Sequence, residues 1–178
     1  MNLNNIERYN RTMMLIHWLM LLLLAAVYFC IELREIYPKG SDPRNAMKAW
    51  HFSLGLCVWI LVMIRLLIRW FSNIPKILPE TPVWQAVVSK LVHVLLYILM
   101  IGMPLLGLLV VNYKGHAVGF FGLEVPVLVA VDKSQADLLE SWHKTIGVAG
   151  YWLIGFHAAA ALVHHFVWKD NTLKRMLP

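Results

Sequence analysis

The sequence predicts an all-α fold, a four-helix bundle integral to a membrane. Three observations carry that expectation. Hydrophobic residues are 60% of the 178 residues and charged ones 15%, against roughly 45–50% and about 25% in a soluble globular chain. The apolar residues gather into four runs long enough to cross a bilayer. The Lys and Arg residues sit at the ends of those runs, where membrane proteins place them. A chain of this size cannot enclose so much apolar surface in its own interior, because surface falls too slowly with mass. Lipid must cover it. A water-soluble enzyme, a disordered chain and a disulfide scaffold are excluded on the same grounds. The net charge of +6 raises nucleic acid as a partner, but no polar segment carries a basic stripe interleaved with aromatics.

A helix needs about 20 apolar residues to span the hydrocarbon core. Met13 to Ile31 supplies the first span, interrupted only by His17. Ala49 to Ile64 supplies the second and continues past Arg65 through Leu66, Leu67 and Ile68. Leu91 to Val111 is the third, with Pro104 as an expected kink. Ile146 to Trp168 is the fourth, beginning earlier, near Leu138. The expected helices are therefore approximately 12–34, 48–70, 85–111 and 139–168 in one transmembrane domain over 1–178. Backbone groups in lipid must bond within their own segment, which demands helices. The alternating ten-residue segments of a membrane barrel are absent. The polar start runs into an apolar stretch too long for a signal h-region and without a small-x-small cleavage site, so no cleavable signal is expected. Turn-rich loops follow the first two spans, and 112–137 is the longest loop.

With the N-terminus inside, the inner side holds Arg8, Arg11, Arg65, Arg69, Lys76, Lys90, Lys169, Lys174 and Arg175. The outer side holds Arg34, Lys39, Arg44, Lys48, Lys114, Lys133 and Lys144. The excess of inner cations favours both termini in the cytoplasm. Cys30 and Cys57 read as small buried hydrophobes, and the absence of Cys-x-x-Cys-His excludes covalent haem attachment by that route.

The histidines point to chemistry. Of eight, seven (His17, His51, His93, His143, His157, His164 and His165) lie within or at the rims of the spans, and His116 is in the long loop. An ionisable group inside a membrane is costly and faces the bundle interior or marks a pathway. His143 and His157 are fourteen residues apart. At 100° and 1.5 Å per residue they share one helix face, about 40° apart, and stand about 21 Å apart along the axis. One ligand thus falls in each half of the membrane. Gly147 and Gly150 on that helix leave room for a planar macrocycle. At matching depth, His51 faces His143 in the outer layer and His17 faces His157 in the inner layer, with His93 a rival inner partner. Two bis-histidine b-type haems stacked in a bundle core follow from this pattern. Imidazole on both iron faces closes the coordination and favours electron transfer over oxygen binding. A metal-ion transporter is the competing class. It wants His, Cys and carboxylate together, and no carboxylate lies in the middle of a span. A membrane anchor for a larger complex is a third class, which overlaps the first.

The stretch from His157 through His164, His165, Trp168, Lys169, Asp170, Asn171 and Thr172 resembles the last helix and tail of the bacterial cytochrome b561 family. So do Ile16-His17-Trp18, His51 with Arg65 and Arg69, Leu106-Gly107 and Ser141-Trp142-His143. The resemblance covers nearly the whole chain and extends to the form described as a superoxide oxidase, which passes electrons from superoxide to ubiquinone. It implies His17 with His157 on the inner haem, His51 with His143 on the outer haem, a bacterial inner-membrane location and a quinone partner. His93 and His165 become non-ligands. The alternative the resemblance leaves open is the cytochrome b subunit of a hydrogenase- or formate-dehydrogenase-like complex, with a redox partner protein. The loop with Arg34, Lys39, Arg44 and Lys48, against Glu35 and Asp42, reads as a positive funnel for a small anion or as ordinary rim charge. His164, Trp18 and Lys169 are the expected lining of the quinone site.

Overall fold

The computed structural model of the chain describes residues 8–177. Four long helices make up most of it: α1 (Arg11–Leu33), α2 (Asp42–Trp70), α3 (Val83–Tyr113) and α4 (Lys133–Phe166). Even the shortest, at 23 residues, is longer than a bilayer core of about 30 Å at 1.5 Å per residue. All four are apolar enough to cross a membrane. The protein is a multi-pass membrane protein of the all-α class.

Local chemistry explains the ends. Asn10 caps α1, its side chain accepting from the Met13 N–H at 2.8 Å. Its amide also donates to Ser72 Oγ at the end of α2. Asp42 and Pro43 open α2, whose polar first turn lies six residues before the expected start. Pro is pre-set for that first turn and lacks only an N–H that the helix leaves unbonded anyway. Asp132 caps α4 through the Gln135 N–H, so α4 also begins about two turns early. Pro104 lies inside α3, and the helix continues through it.

The long loop is not structureless. Val118–Phe120 and Leu123–Val125 form an antiparallel hairpin, β1 and β2. Phe121 and Gly122 both take positive φ, the pattern of a two-residue type I′ turn. The hairpin docks on α2, where Ser53 Oγ donates to the Gly119 carbonyl and Trp50 meets Phe121 edge-on. Asn112, fully buried, holds the loop root by donating to the His116 carbonyl and accepting from the Leu128 N–H.

Helix α1 packs on α2, α2 on α3 and α3 on α4. A small core of Met20, Val58, Val62, Leu96 and Met100 joins three of them. The seam between α1 and α4 is closed by side chains. Tyr28 donates to the Gly147 carbonyl at 2.9 Å, Tyr151 donates to Glu32 at 2.6 Å, and the two phenol rings lie 4.2 Å apart. Gly150 is the seat of the Tyr28 hydroxyl, since a Cβ there would overlap it. The expectation that Gly150 flanks a macrocycle is corrected: it admits a tyrosine.

The segments before α1 and after α4 meet at one end of the bundle, where the Tyr9 N–H donates to the Arg175 carbonyl. We call this the terminal end, and the end that carries the hairpin and the α1–α2 loop the loop end.

Candidate functional site: two histidine layers

The two expected histidine pairs meet across the bundle. His51 of α2 and His143 of α4 have ring centres 6.1 Å apart near the loop end. His17 of α1 and His157 of α4 are 6.2 Å apart nearer the terminal end. The paired rings are close to perpendicular, at 76° and 74°. Two imidazoles bound to one metal on a common axis, each through a bond of about 2 Å, have centres about 6 Å apart. Both pairs match that spacing, in two layers.

The tautomers fit as well. A carbonyl only accepts, so the contact of His51 Nδ1 with the Val27 carbonyl at 3.0 Å puts the proton on Nδ1. Nε2 is left with its lone pair, the state in which a histidine ligates, and the ring is oriented from behind. His143 is positioned by packing. A Cβ at Gly107 would stand 3.1 Å from His143 Cε1, so glycine lets the α3 backbone come against that ring without displacing it. His143 Nδ1 is buried without a hydrogen-bond partner. The donor set, neutral imidazoles with no carboxylate, suits a haem iron better than a free divalent ion. Among the described residues no group of three or more His, Cys, Asp or Glu is placed to hold a metal ion.

His93 sits close to the terminal pair, 5.2 Å from His157. That is about 1 Å too short for an iron between the two rings. Its Nδ1–H donates to the Ser89 carbonyl at 2.6 Å. His17, at 6.2 Å, is the partner whose distance fits.

The terminal end carries the other expected residues. His164 Nδ1 bonds to the carboxylate of Asp170 and its ring meets Trp168 edge-on at 4.4 Å. The Trp18 indole N–H donates to the Met176 carbonyl at 2.7 Å, so it serves tail docking and has no hydrogen left for a ligand. Lys169 is exposed, at a positive φ. A cleft of about 230 Å³ opens beside Asp170 and Trp168, with Pro79, Thr81 and Gln85 on its other wall. Asp170 is 3% exposed. Burial pushes its carboxyl up, but hydrogen bonds from His164 and the Thr172 N–H outweigh that and hold it below the usual range.

The loop end also differs from its expected form. Arg44 is largely buried. It donates to the Arg34 and Tyr37 carbonyls and grips Glu35 with Nη2, at 2.9 Å from Oε2. Arg34 takes the same carboxylate. These two arginines build the turn and are not free surface charge. Lys39 and Lys48 remain exposed, Lys48 5.5 Å over the Phe52 ring. Lys114 and Lys144 share Glu140.

Three residues carry structural or electrostatic roles that sequence reasoning did not assign. Tyr28 and Asp170 act through the Gly147 carbonyl and His164, contacts that no local pattern encodes. Arg65 had a signal: it follows His51 by the interval that separates His143 from His157.

Comparison with known proteins agrees with this architecture. The family model described as prokaryotic cytochrome b561 matches residues 8–178. The chain is 39% identical to cytochrome b561 homolog 1 of Escherichia coli (strain K12), over 97% of this chain and 98% of that one. It is 36% identical to a Yersinia pestis protein named probable superoxide oxidase CybB, over 97% of each. It is 30% identical to cytochrome b561 homolog 2 of Escherichia coli (strain K12), over 98% of this chain and 93% of that one. Two histidine layers in a four-helix membrane bundle, matched over residues 8–178 by the family model, show that the chain belongs to the prokaryotic cytochrome b561 family.

Proposed function

We propose that this membrane electron-transfer cytochrome carries two b-type haems and oxidises superoxide at the expense of ubiquinone. His51 and His143 hold the loop-layer haem, and His17 and His157 the terminal-layer haem. The observation that carries the reading is the pair of imidazole couples at 6.1 and 6.2 Å. The haems supply one-electron redox chemistry between two otherwise unmatched reactants. The protein sets orientation, access and charge. In balance, two superoxide ions give two dioxygen molecules, while one ubiquinone takes the two electrons and two protons to become ubiquinol.

The chain's residues divide this work by end. The loop end faces the outer side of the bacterial inner membrane, and Lys39 and Lys48 draw the small anion toward His51 and His143. The terminal end, with both termini in the cytoplasm, receives ubiquinone in the cleft beside Trp168. His164 stands there with Nδ1–H held by Asp170, so that in the protonated ring Nε2–H donates to a quinone oxygen. A histidine held by a carboxylate is a reasonable proton donor, because its other nitrogen is oriented from behind. Lys169 borders the same site, and Trp18 contributes its ring alone. The name of the Yersinia pestis relative supports the choice of substrate.

The test is spectroscopic and needs no partner protein. Purified protein should show about two b-type haems per chain and be reduced by superoxide alone, then reoxidised by added ubiquinone. His51→Ala or His143→Ala should remove one haem, and His17→Ala or His157→Ala the other. His164→Leu should keep both haems and slow the reoxidation. A protein that superoxide cannot reduce, although dithionite does, would instead be a subunit awaiting its own donor.

A further inference from the structure

The terminal-layer histidines are ringed by cations that form no salt bridge with a carboxylate among the described residues. Arg65 follows His51 on α2 by fourteen residues, as His157 follows His143 on α4. Both helices run from the loop end to the terminal end. Arg65 therefore stands near the His51 face of α2, about 21 Å further in, at the depth where α4 presents His157. Its Nη1 donates to the Met13 carbonyl at 3.2 Å, one helical turn before His17. Its charge acts on His17, His93 and His157 alike. Arg69, one turn further along α2, and Arg175 of the tail both act on His93. Arg175 is 7% exposed, its Nη1 donates to the Pro75 carbonyl, and its Nε is buried without a partner.

None of the three arginines forms a salt bridge among the described residues. Asp170, already bonded to His164 and the Thr172 N–H, acts on Arg175 only at a distance. Guanidinium groups gathered at the end of a membrane bundle are costly without a counter-charge. An anion with paired oxygens satisfies them best, since guanidinium presents its N–H groups as a planar fork that carboxylate or phosphate meets two at a time.

We propose that Arg65 and Arg69 seat the two propionate carboxylates of the terminal-layer haem, with Arg175 closing the site from the tail. The inference rests on the haem reading above. It assigns α2 a role in a layer where α2 has no ligand: α1 and α4 hold the iron, and α2 holds the acidic edge. The tail, docked through Arg175, then becomes part of that haem's binding site. Cations at this edge also favour the reduced form, because reduction adds negative charge beside them.

The test uses purified holoprotein and three readouts: haem per chain, the midpoint potential of each haem, and tightly bound phosphorus. Arg65→Gln should lower the potential of the haem that depends on His17 and weaken its retention about 10–100-fold, the usual cost of losing a supporting partner. The haem that depends on His51 should keep its potential, which also shows that the bundle has folded. Arg65→Lys should recover most of the potential but not the retention, since the charge returns without the fork. Arg69→Gln should act in the same direction. If Arg65→Gln and Arg69→Gln both leave the two potentials and the haem content unchanged, the proposal is wrong. If bound phosphorus falls while the haems stay as they were, the seat belongs to a phospholipid headgroup. A His17→Ala protein that keeps both haems would overturn the ligand reading itself, a different outcome from either.

Discussion

Gly107→Ala adds one methyl group on α3 and replaces neither a ligand nor a polar group. The new Cβ would lie 3.1 Å from Cε1, 3.5 Å from Nδ1 and 3.9 Å from Nε2 of His143. Carbon atoms rest at about 3.5–4.0 Å, so the ring must retreat by about half an ångström or the helices must part by as much. A metal constellation tolerates displacement of about 0.5 Å before it loosens. Loss of such support costs about 10–100-fold in affinity, or about 1.4–2.7 kcal/mol at 1.36 kcal/mol per decade. The expected result is a protein that releases the loop-layer haem on dilution in detergent and retains the other, read by haem content and a redox titration that resolves the two. Gly102→Ala is the control. It makes the same change five residues earlier on the same helix, where a Cβ meets nothing within 4 Å, and any general effect of alanine on helix stability appears there too. If Gly107→Ala kept both haems with unchanged potentials, or shed the haem that needs His17, the packing argument for His143 would fail.

Two further outcomes follow from the ends of the bundle. Lys39→Glu with Lys48→Glu should slow reduction by superoxide without changing haem content or reduction by dithionite, and added salt should slow the wild type and flatten the difference, since attraction is screened over about 8 Å at physiological ionic strength; an unchanged rate in both tests would leave these lysines as rim charge. Asp170 should make docking of the tail sensitive to acid. Its carboxyl is held below the usual range in the folded chain, so its contribution is complete above the unfolded value of about 3.9 and is lost as pH falls through the lower folded value. Hydrogen-exchange protection at Asn171 and Arg175, whose backbone amides donate to Leu78 and Asn171, should fall over that acid range relative to the intrinsic exchange rate, and Asp170→Asn should abolish this loss of protection.

The parts of this molecule legible in its sequence are those that period and composition encode. Four apolar runs give the helices because lipid leaves the backbone no other partner. Fourteen residues on α4 give the two layers because a helix returns nearly to the same face over that interval. The helix starts at Asp42 and Lys133 were less legible: their first turns are polar and lie beyond the apolar runs used to set the bounds, yet Pro43 and the Asp132 cap extend both helices. The hairpin at 118–125 depends on its docking against Ser53 and Trp50, contacts more than 60 residues away in sequence. Gly150 was misread for a related reason. A glycine announces close approach but not of what, and here the visitor is a hydroxyl from α1.

Arg65 shows how one residue can carry two signals, only one of which is usually read. In a membrane protein a lone arginine near the end of an apolar run is assigned to topology and counted toward the inner side. The same position, placed by its interval from His51, lies near the face of α2 that carries His51, at the depth of the second layer. A lysine or arginine needed only for orientation can stand at any angle around the helix, since the rule counts charge near the membrane edge and not direction. Arg65 has a partly buried side chain that reaches the Met13 carbonyl, beside the terminal-layer histidines, while Trp70 and Phe71 nearby are 85% and 79% exposed. An inward direction at that depth is what a counter-charge inside the bundle requires, and orientation in the membrane alone does not account for it.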